Sequence, residues 1–301
     1  MSLYKMKNIV GSLLFITSLL FANNALADFG DAQTRDYTSM PAGTTFMVNF
    51  LRAGKADRFY SDGERVTGLG LEADLLADTL VVGHFYELFG LTMMGKVSGS
   101  LIRTKLSSNF DSPETTTGFS DPVFSNAVWL VDNNEDGMWF VIEPYISFPW
   151  GSYNENKPNT SPGENAYKVL TDINFTKRFG SGTYVELWYE FKKNSPNDRY
   201  FGQTLKKDRS DRYAVLFSQD LPATSWTNSH FLGMRYAWRQ GGQEYLDGVK
   251  AGGRDNNQDL TVTYAAIIGQ RDQLKLSYLH NTKARNGFAV NGVELRWARM
   301  F

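Results

Sequence analysis

The chain has 301 residues and no cysteine, which excludes a disulfide framework, thiolate chemistry and cysteine-ligated metal sites. Its 31 lysines and arginines nearly balance 32 aspartates and glutamates, so the charge gives no reason to expect a nucleic-acid partner. Apolar residues make up 42% and mean hydropathy is −0.36, which suits a membrane barrel with a wet interior but does not require one.

Residues 1–27 have the three parts of a secretory signal peptide: basic Lys5 and Lys7, an apolar stretch from Ile9 to Phe21, and the small-x-small site Ala25-Leu26-Ala27. The apolar stretch is shorter than the roughly 20 residues of a spanning helix. Cleavage would leave Asp28 first and remove two of the 31 cations and no acid, for a mature net charge of −3. Beyond it no apolar run is long enough for a transmembrane helix. A membrane-spanning chain must then close as a β-barrel, because only helices and closed barrels satisfy the backbone in lipid. Asp28 to Met40 is too short for a folded plug domain.

From residue 44 onward, alternation recurs with regular gaps, and successive strand residues point to opposite faces. Strands are expected at 44–54, 78–88, 91–102, 121–132, 138–149, 164–177, 183–193, 209–219, 227–238, 257–268, 272–281 and 288–301. The clearest is Tyr184 to Lys193, where Val185, Leu187, Tyr189 and Phe191 oppose Glu186, Trp188, Glu190 and Lys192. Leu69 to Leu76 fits an extra strand or a loop helix. The 121–132 segment has no clear apolar face. Pro144 would remove a ladder donor in mid-strand. The connections alternate short and long, as in outer-membrane barrels with short periplasmic turns and long extracellular loops. An even strand count returns Phe301 to the periplasm. The expected fold is all-β, a transmembrane antiparallel up-and-down barrel of about twelve strands over residues 28–301.

The last strand alternates through Val293, Leu295, Trp297, Arg299 and Phe301. A terminal aromatic on such a strand resembles the signal read by the barrel assembly machinery, with Trp297 and Phe301 as its carriers. Arg299 departs from that pattern and is expected to snorkel to periplasmic headgroups.

Strand parity turns Lys96, Glu143, Lys168, Asp172, Glu186, Trp188, Glu190, Lys192, Arg212, Arg235, Asp259, Lys275, Glu294 and Arg296 inward. These residues either line a solute path or pair to seal the barrel. His84, His230 and His280 show no metal spacing. Asp132 to Gly137 looks like a calcium loop but lacks the full ligand order, and an acidic hairpin turn accounts for it. An outer-wall phospholipase needs a serine beside a histidine, and Ser277 and His280, three apart, point to opposite faces.

Four motifs occur in order: Pro41-Ala42-Gly43 with Asp57 to Gly63, then Gly118-Phe119-Ser120-Asp121-Pro122, Pro149-Trp150-Gly151-Ser152-Tyr153, and Gly163-Glu164-Asn165. From Pro41 to Phe301 the chain resembles the family of outer-membrane transporters named for the meta-pathway of phenol degradation. Trp150 stands where a small residue is more usual, and Ala284 to Phe288 matches only loosely. The resemblance implies a barrel with a transport role in the bacterial outer membrane. The expected function is a channel passing small, aromatic or hydrophobic solutes through a narrow charged lumen, with Trp188 available for stacking. A closed structural barrel is the first alternative and a phospholipase-like enzyme the second. Outer-membrane lipid, the assembly machinery and a small-molecule solute are the expected partners, with no cofactor and no metal.

Overall fold

A computed structural model describes residues 33–301 apart from 110, 111, 181 and 228. The expected signal peptide lies outside the described residues. Among the described residues there is no helix. Twelve strands form the wall: β1 (Thr45–Ser61), β2 (Glu72–Leu88), β3 (Leu91–Ser107), β4 (Val123–Asn133), β5 (Met138–Ser147), β6 (Lys168–Phe179), β7 (Thr183–Asn194), β8 (Ser210–Asp220), β9 (Ser229–Gly241), β10 (Asp255–Ile268), β11 (Asp272–Lys283) and β12 (Gly287–Met300). Each pairs antiparallel with its sequence neighbour, and β1 pairs with β12 from Phe46↔Met300 to Tyr60↔Gly287, which closes the barrel. Closure removes the edge strands that an open sheet would present to lipid.

All twelve expected strands are present, and the differences have physical reasons. β1 to β3 run 17 residues each, whereas about 9–11 tilted residues cross a bilayer. Their upper parts therefore stand clear of the membrane. There the outer face carries Lys55, Glu72 and Asp74, which hides the alternation of small inward residues such as Ala73 and Ala77. Leu69 to Leu76, the ambiguous segment, leads into β2 and continues it. In β4 an extra residue, Leu130, shifts the register between Trp129↔Val141 and Val131↔Phe140. Up to this bulge the strand keeps one alternation, with Ala127 and Trp129 buried inside while Phe124 and Leu130 face out. Pairing of β4 with β5 passes from Ser125↔Tyr145 to Val128↔Ile142. The ladder thus lapses beside Pro144, whose ring has no N–H to give.

The outer wall is apolar: Leu187, Val215, Met234, Val262, Leu276 and Leu295 all project outward and are exposed. Near the extracellular ends Tyr189, Tyr213 and Trp238 stack in a row across β7, β8 and β9, with ring centroids 5.0 and 5.1 Å apart. Such an aromatic girdle marks a membrane–water interface. At the periplasmic end Arg299 pairs with Asp272 at 3.3 Å, and Trp297 Nε1 donates to the same carboxylate at 2.9 Å. Arg299 thus has a protein partner where headgroup contact was expected. Phe301 is exposed, and its N–H donates to the Thr45 carbonyl at 2.8 Å.

A second, four-stranded sheet comes from two extracellular loops, in the order Asn197–Tyr200, Gln203–Lys207, Glu244–Leu246, Val249–Ala251. It packs Tyr200, Leu205 and Ala251 against Leu75, Phe288 and Val290 on the inner face of the upper wall. The lumen is therefore apolar at this level, where a charged lumen was expected.

Leu187→Arg should destabilise the barrel by about 2–4 kcal/mol if Leu187 lies near the bilayer midplane, and less toward the interfaces. Reversible urea unfolding in vesicles measures this, and an unchanged midpoint would mean that this face does not meet lipid.

Candidate functional site

The inward side chains are arranged by sign. Four carboxylates lie on three adjacent strands: Glu143 on β5, Asp172 on β6, and Glu186 and Glu190 on β7. All are at most 1% exposed. Glu143, Asp172 and Glu190 are register neighbours, and Glu190 is opposite Arg212 of β8. The cations lie on the other wall: Arg212, Arg235 and Arg239 on β8 and β9, Lys275 on β11 and Arg296 on β12. Asp259 on that wall takes Arg212 at 3.2 Å and Arg235 at 2.9 Å. Glu294 takes Arg52. On the acidic side Lys96 pairs with Glu143 at 2.8 Å. The parity argument placed all of these inside except Arg52 and Arg239; the grouping by sign needed the closed barrel.

Into this field the N-terminal segment inserts from the periplasmic end as a turn over residues 34–37. It is no folded plug domain, yet it occupies the lumen. Arg35 meets the acidic wall through its backbone and β8 through its side chain. Its backbone N–H donates to Glu186 at 2.7 Å, and its guanidinium reaches Ser218 at 2.8 Å and Asp220 at 2.5 Å. The same guanidinium lies between the rings of Tyr184 and Phe231, 3.9 and 4.0 Å from their centroids. Asp36 turns to the basic wall and accepts from Lys275 at 2.7 Å and Arg296 at 2.5 Å. Burial alone would raise its pKa, but Arg296 and Lys275 outweigh burial and hold it below the usual carboxylate range.

Neighbouring residues fix the turn. The Tyr37 hydroxyl donates to Asp172 at 2.7 Å, and Trp129 Nε1 donates to the Tyr37 carbonyl at 3.0 Å. Gln33 donates to Glu294. Lys275 also donates to the Thr34 carbonyl at 2.8 Å. Gly233, in the middle of β9, makes room for this: a Cβ there would sit 2.6 Å from Thr34 Oγ1. Trp188 is buried, with Arg212 5.5 Å from its ring centroid, so its face is occupied by a cation. No sequence signal marks the segment, because Gln33 to Met40 is polar, aperiodic and indistinguishable from a loop.

At the outer end three of the four motifs converge. The Asp121 carboxylate accepts from the Gly151 N–H at 2.9 Å and the Glu164 N–H at 2.8 Å. Ser152 N–H donates to the Phe119 carbonyl at 2.8 Å, and Gly163 N–H to the Ser152 carbonyl at 2.9 Å. Any Cβ at Gly151 would fall 2.6 Å from the Asp121 nitrogen, so this close crossing requires glycine there. Trp150 is exposed and stacks on Phe148 with centroids 4.7 Å apart. Glu164 continues the knot. It accepts from Lys168 at 2.6 Å and Asn194 at 3.1 Å, and its carbonyl accepts from Asn197 in the small sheet at 2.9 Å. Lys168 is thereby engaged at the mouth, above the mid-lumen charges. The other part of the pattern, Asp57 to Gly63, meets the loosely matching 284–288 loop: Asp62 N–H donates to Asn286 at 2.8 Å, and Phe59 packs edge-on to Phe288.

The remaining candidates are accounted for locally. His84 bonds Thr45, His230 bonds Tyr264 and the Pro222 carbonyl, and His280 bonds Asn291. Ser277 is buried against Thr263, away from His280. The acidic segment 132–137 is a hairpin turn whose carbonyls accept from Arg178 and Lys177. Among the described residues no group of three or more metal-ligating side chains comes together.

A family model described as "Putative MetA-pathway of phenol degradation" matches residues 56–297. No curated protein sequence matches the chain. Among solved structures, the COG4313 outer membrane channel from Pseudomonas putida is 22% identical, with a TM-score of 0.82, covering 90% of this chain and all of that one. The β domain of a Bordetella autotransporter follows at 12% identity and a TM-score of 0.54, covering 87% of this chain and 100% of that one. The transport unit of the autotransporter AIDA-I from Escherichia coli is 8% identical, with a TM-score of 0.53, covering 95% and 96%. These likenesses concern the fold. With the apolar outer wall they place the protein in the bacterial outer membrane as a β-barrel.

Glu164 gives the mouth a pH dependence. Burial would raise its pKa, but Lys168, Lys207 and Lys192 outweigh burial and bring it from 4.5 down to about 2. A depressed carboxylate stabilises the fold above its unfolded pKa and loses that contribution as pH falls through the folded one. Peptic cleavage of the 195–209 loop should therefore accelerate as pH drops from about 4.5 toward 2. Glu164→Gln should remove that pH dependence, and an identical profile for the variant would refute the assignment.

Proposed function

The chain belongs to the family described as "Putative MetA-pathway of phenol degradation", and on that premise we propose that it is an outer-membrane channel for small hydrophobic or aromatic solutes. The observation that supports this best is the build of the lumen. The N-terminal segment fills its periplasmic half and the small sheet covers its extracellular half. Open spaces of about 130 and 120 Å³ remain, one above Gln33 and one beside Asp36 and Tyr37, each walled in part by apolar side chains. Hydrophilic solutes and ions meet a barrier of paired charges, while an apolar ring finds matching surface under the small sheet. The name of the Pseudomonas neighbour, an outer membrane channel, agrees with this reading. No enzymatic role is proposed, since Ser277 and His280 are turned to different sides of the wall.

The competing reading is a closed structural barrel. It draws on the same pairing of charges, above all Asp36 with Lys275 and Arg296.

Two measurements separate the readings. Cells making the protein should take up radiolabelled toluene several-fold faster than cells lacking it. In planar bilayers Asp36→Ala should raise ion conductance several-fold. The reason is that it leaves Lys275, only 1% exposed, without its carboxylate. Removing one partner of such a buried pair costs on the order of 3–5 kcal/mol, enough to displace the segment. Equal toluene uptake, with a variant that loses thermal stability but gains no conductance, would make the barrel structural.

A further inference from the structure

The two open spaces, the upper of about 130 Å³ and the lower of about 120 Å³, meet at one side chain. Gly54 and Leu75 line the upper, and Phe50, Thr79 and Val81 line the lower, so both lie against β1 and β2. Among the described residues Arg52 alone lines both. These two strands form a sector of the lumen that is poor in charge. On β1 the inward residues Phe46, Val48, Phe50, Gly54 and Ala56 are apolar or glycine. On β2 the inward residues Val81, Thr79, Ala77, Leu75 and Ala73 carry no charge. Arg52 interrupts this sector midway along β1. Arg35 and Asp36 fasten the inserted segment elsewhere, to β7, β8, β11 and β12.

In register, Arg52 stands between Glu294 of β12 and Ala77 of β2. Its guanidinium donates to Glu294, which also accepts from Gln33. The charged end is thereby drawn toward β12, and on the β2 side the facing residue is only an alanine. The same guanidinium lies 5.7 Å from the centroid of the Phe50 ring just below it. We propose that apolar solutes travel along β1 and β2 and that Arg52 is the gate between the two spaces, passing neutral rings and stopping ions. A hydrated ion needs unbroken water, and the Arg52–Glu294–Gln33 bridge divides the two spaces. A neutral ring needs none. It slides over the Phe50 ring and the methylene stem of Arg52, on the Ala77 side, while the guanidinium stays on Glu294. Passage on that side leaves the ion pair intact, which matters because separating charges in so little water is costly. The assignment rests on the channel reading and adds to it the route and the residue that selects.

Two experiments on the full-length mature protein test this. In planar bilayers Arg52→Ala should raise ion conductance several-fold, and Arg52→Lys should keep it close to the wild-type level. Tryptic cleavage after Arg35 reports whether the inserted segment has left the lumen, and Arg52→Ala should not accelerate it. No rise in conductance, or a rise that comes only with faster cleavage at Arg35, would overturn the gate. The second experiment blocks the route after folding is complete. The chain has no native cysteine, so Ser98→Cys supplies its only thiol, opposite Val81 on the wall of the lower space. Cells carrying this variant should take up toluene at the wild-type rate before treatment with benzyl methanethiosulfonate and at the background rate after it. Uptake that survives complete modification would overturn the route. The channel reading fails by a different result: unmodified wild-type protein adds nothing to toluene uptake, and the proposed route then falls with it.

Discussion

A charge inside a narrow barrel has little water to stabilise it, so each buried ion must find an opposite charge or a set of aligned dipoles. This constraint organises the structure. The inner wall presents carboxylates on β5 to β7 and cations on β8, β9, β11 and β12, too far around the barrel for all of them to pair with one another. The bridge is two consecutive residues of the N-terminal segment. Arg35 donates its backbone N–H to Glu186 on the acidic side and its guanidinium to Asp220 on β8, while the Asp36 carboxylate accepts from Lys275 and Arg296 on the basic side. The segment turns at Arg35, whose φ of 66° lies in the left-handed region, and the turn sends its two charged residues to different strands, so a short peptide spans the gap that a folded domain would otherwise have to fill. The arrangement is reciprocal: without the segment Lys275 and Glu186 each lose a principal partner, and without those walls the segment has no reason to be ordered.

The extracellular end is closed by a different force. The small sheet sits on an apolar surface of Leu75, Phe288 and Val290 and is tied to the wall by the Asp121–Gly151–Glu164 knot. Hydrophobic contact there is non-directional, and the knot supplies direction. With an electrostatic closure below and an apolar one above, the space between them is two-faced. Its chemistry follows from which walls each closure leaves uncovered.

Much of this was legible in the sequence because a strand repeats every two residues, and one alternating run reports both the lipid face and the lumen face. That period located the twelve strands and turned Glu143, Asp172, Glu186, Arg235 and Lys275 inward. It said nothing of how the charges divide around the barrel, because the division depends on register and closure between strands such as β1 and β12. The upper parts of β1 and β2 read as loop, since above the membrane the outer face is charged and the inner face small and apolar, the reverse of the pattern below. The inserted segment was invisible for another reason: its order comes from long-range partners, with Arg35 meeting Glu186 and Asp36 meeting Arg296. The motifs at Asp121, Gly151 and Glu164 were visible as motifs, but their convergence through backbone hydrogen bonds to one carboxylate was not.

The central claim is that the N-terminal segment resides in the lumen, held between walls of opposite charge. Because the chain has no native cysteine, a pair introduced as Thr34→Cys and Gly233→Cys tests its position directly. A Cβ at Gly233 would lie 3.1 Å from that of Thr34, just inside the roughly 3.5–4.5 Å that a disulfide spans, so a small outward shift of the segment brings the pair to bridging distance. Under mild oxidation in intact outer membranes the pair should cross-link nearly completely, and Asp36→Ala in the same background should reduce the yield sharply. Free labelling of both cysteines by a maleimide reagent, with no cross-link, would contradict the account.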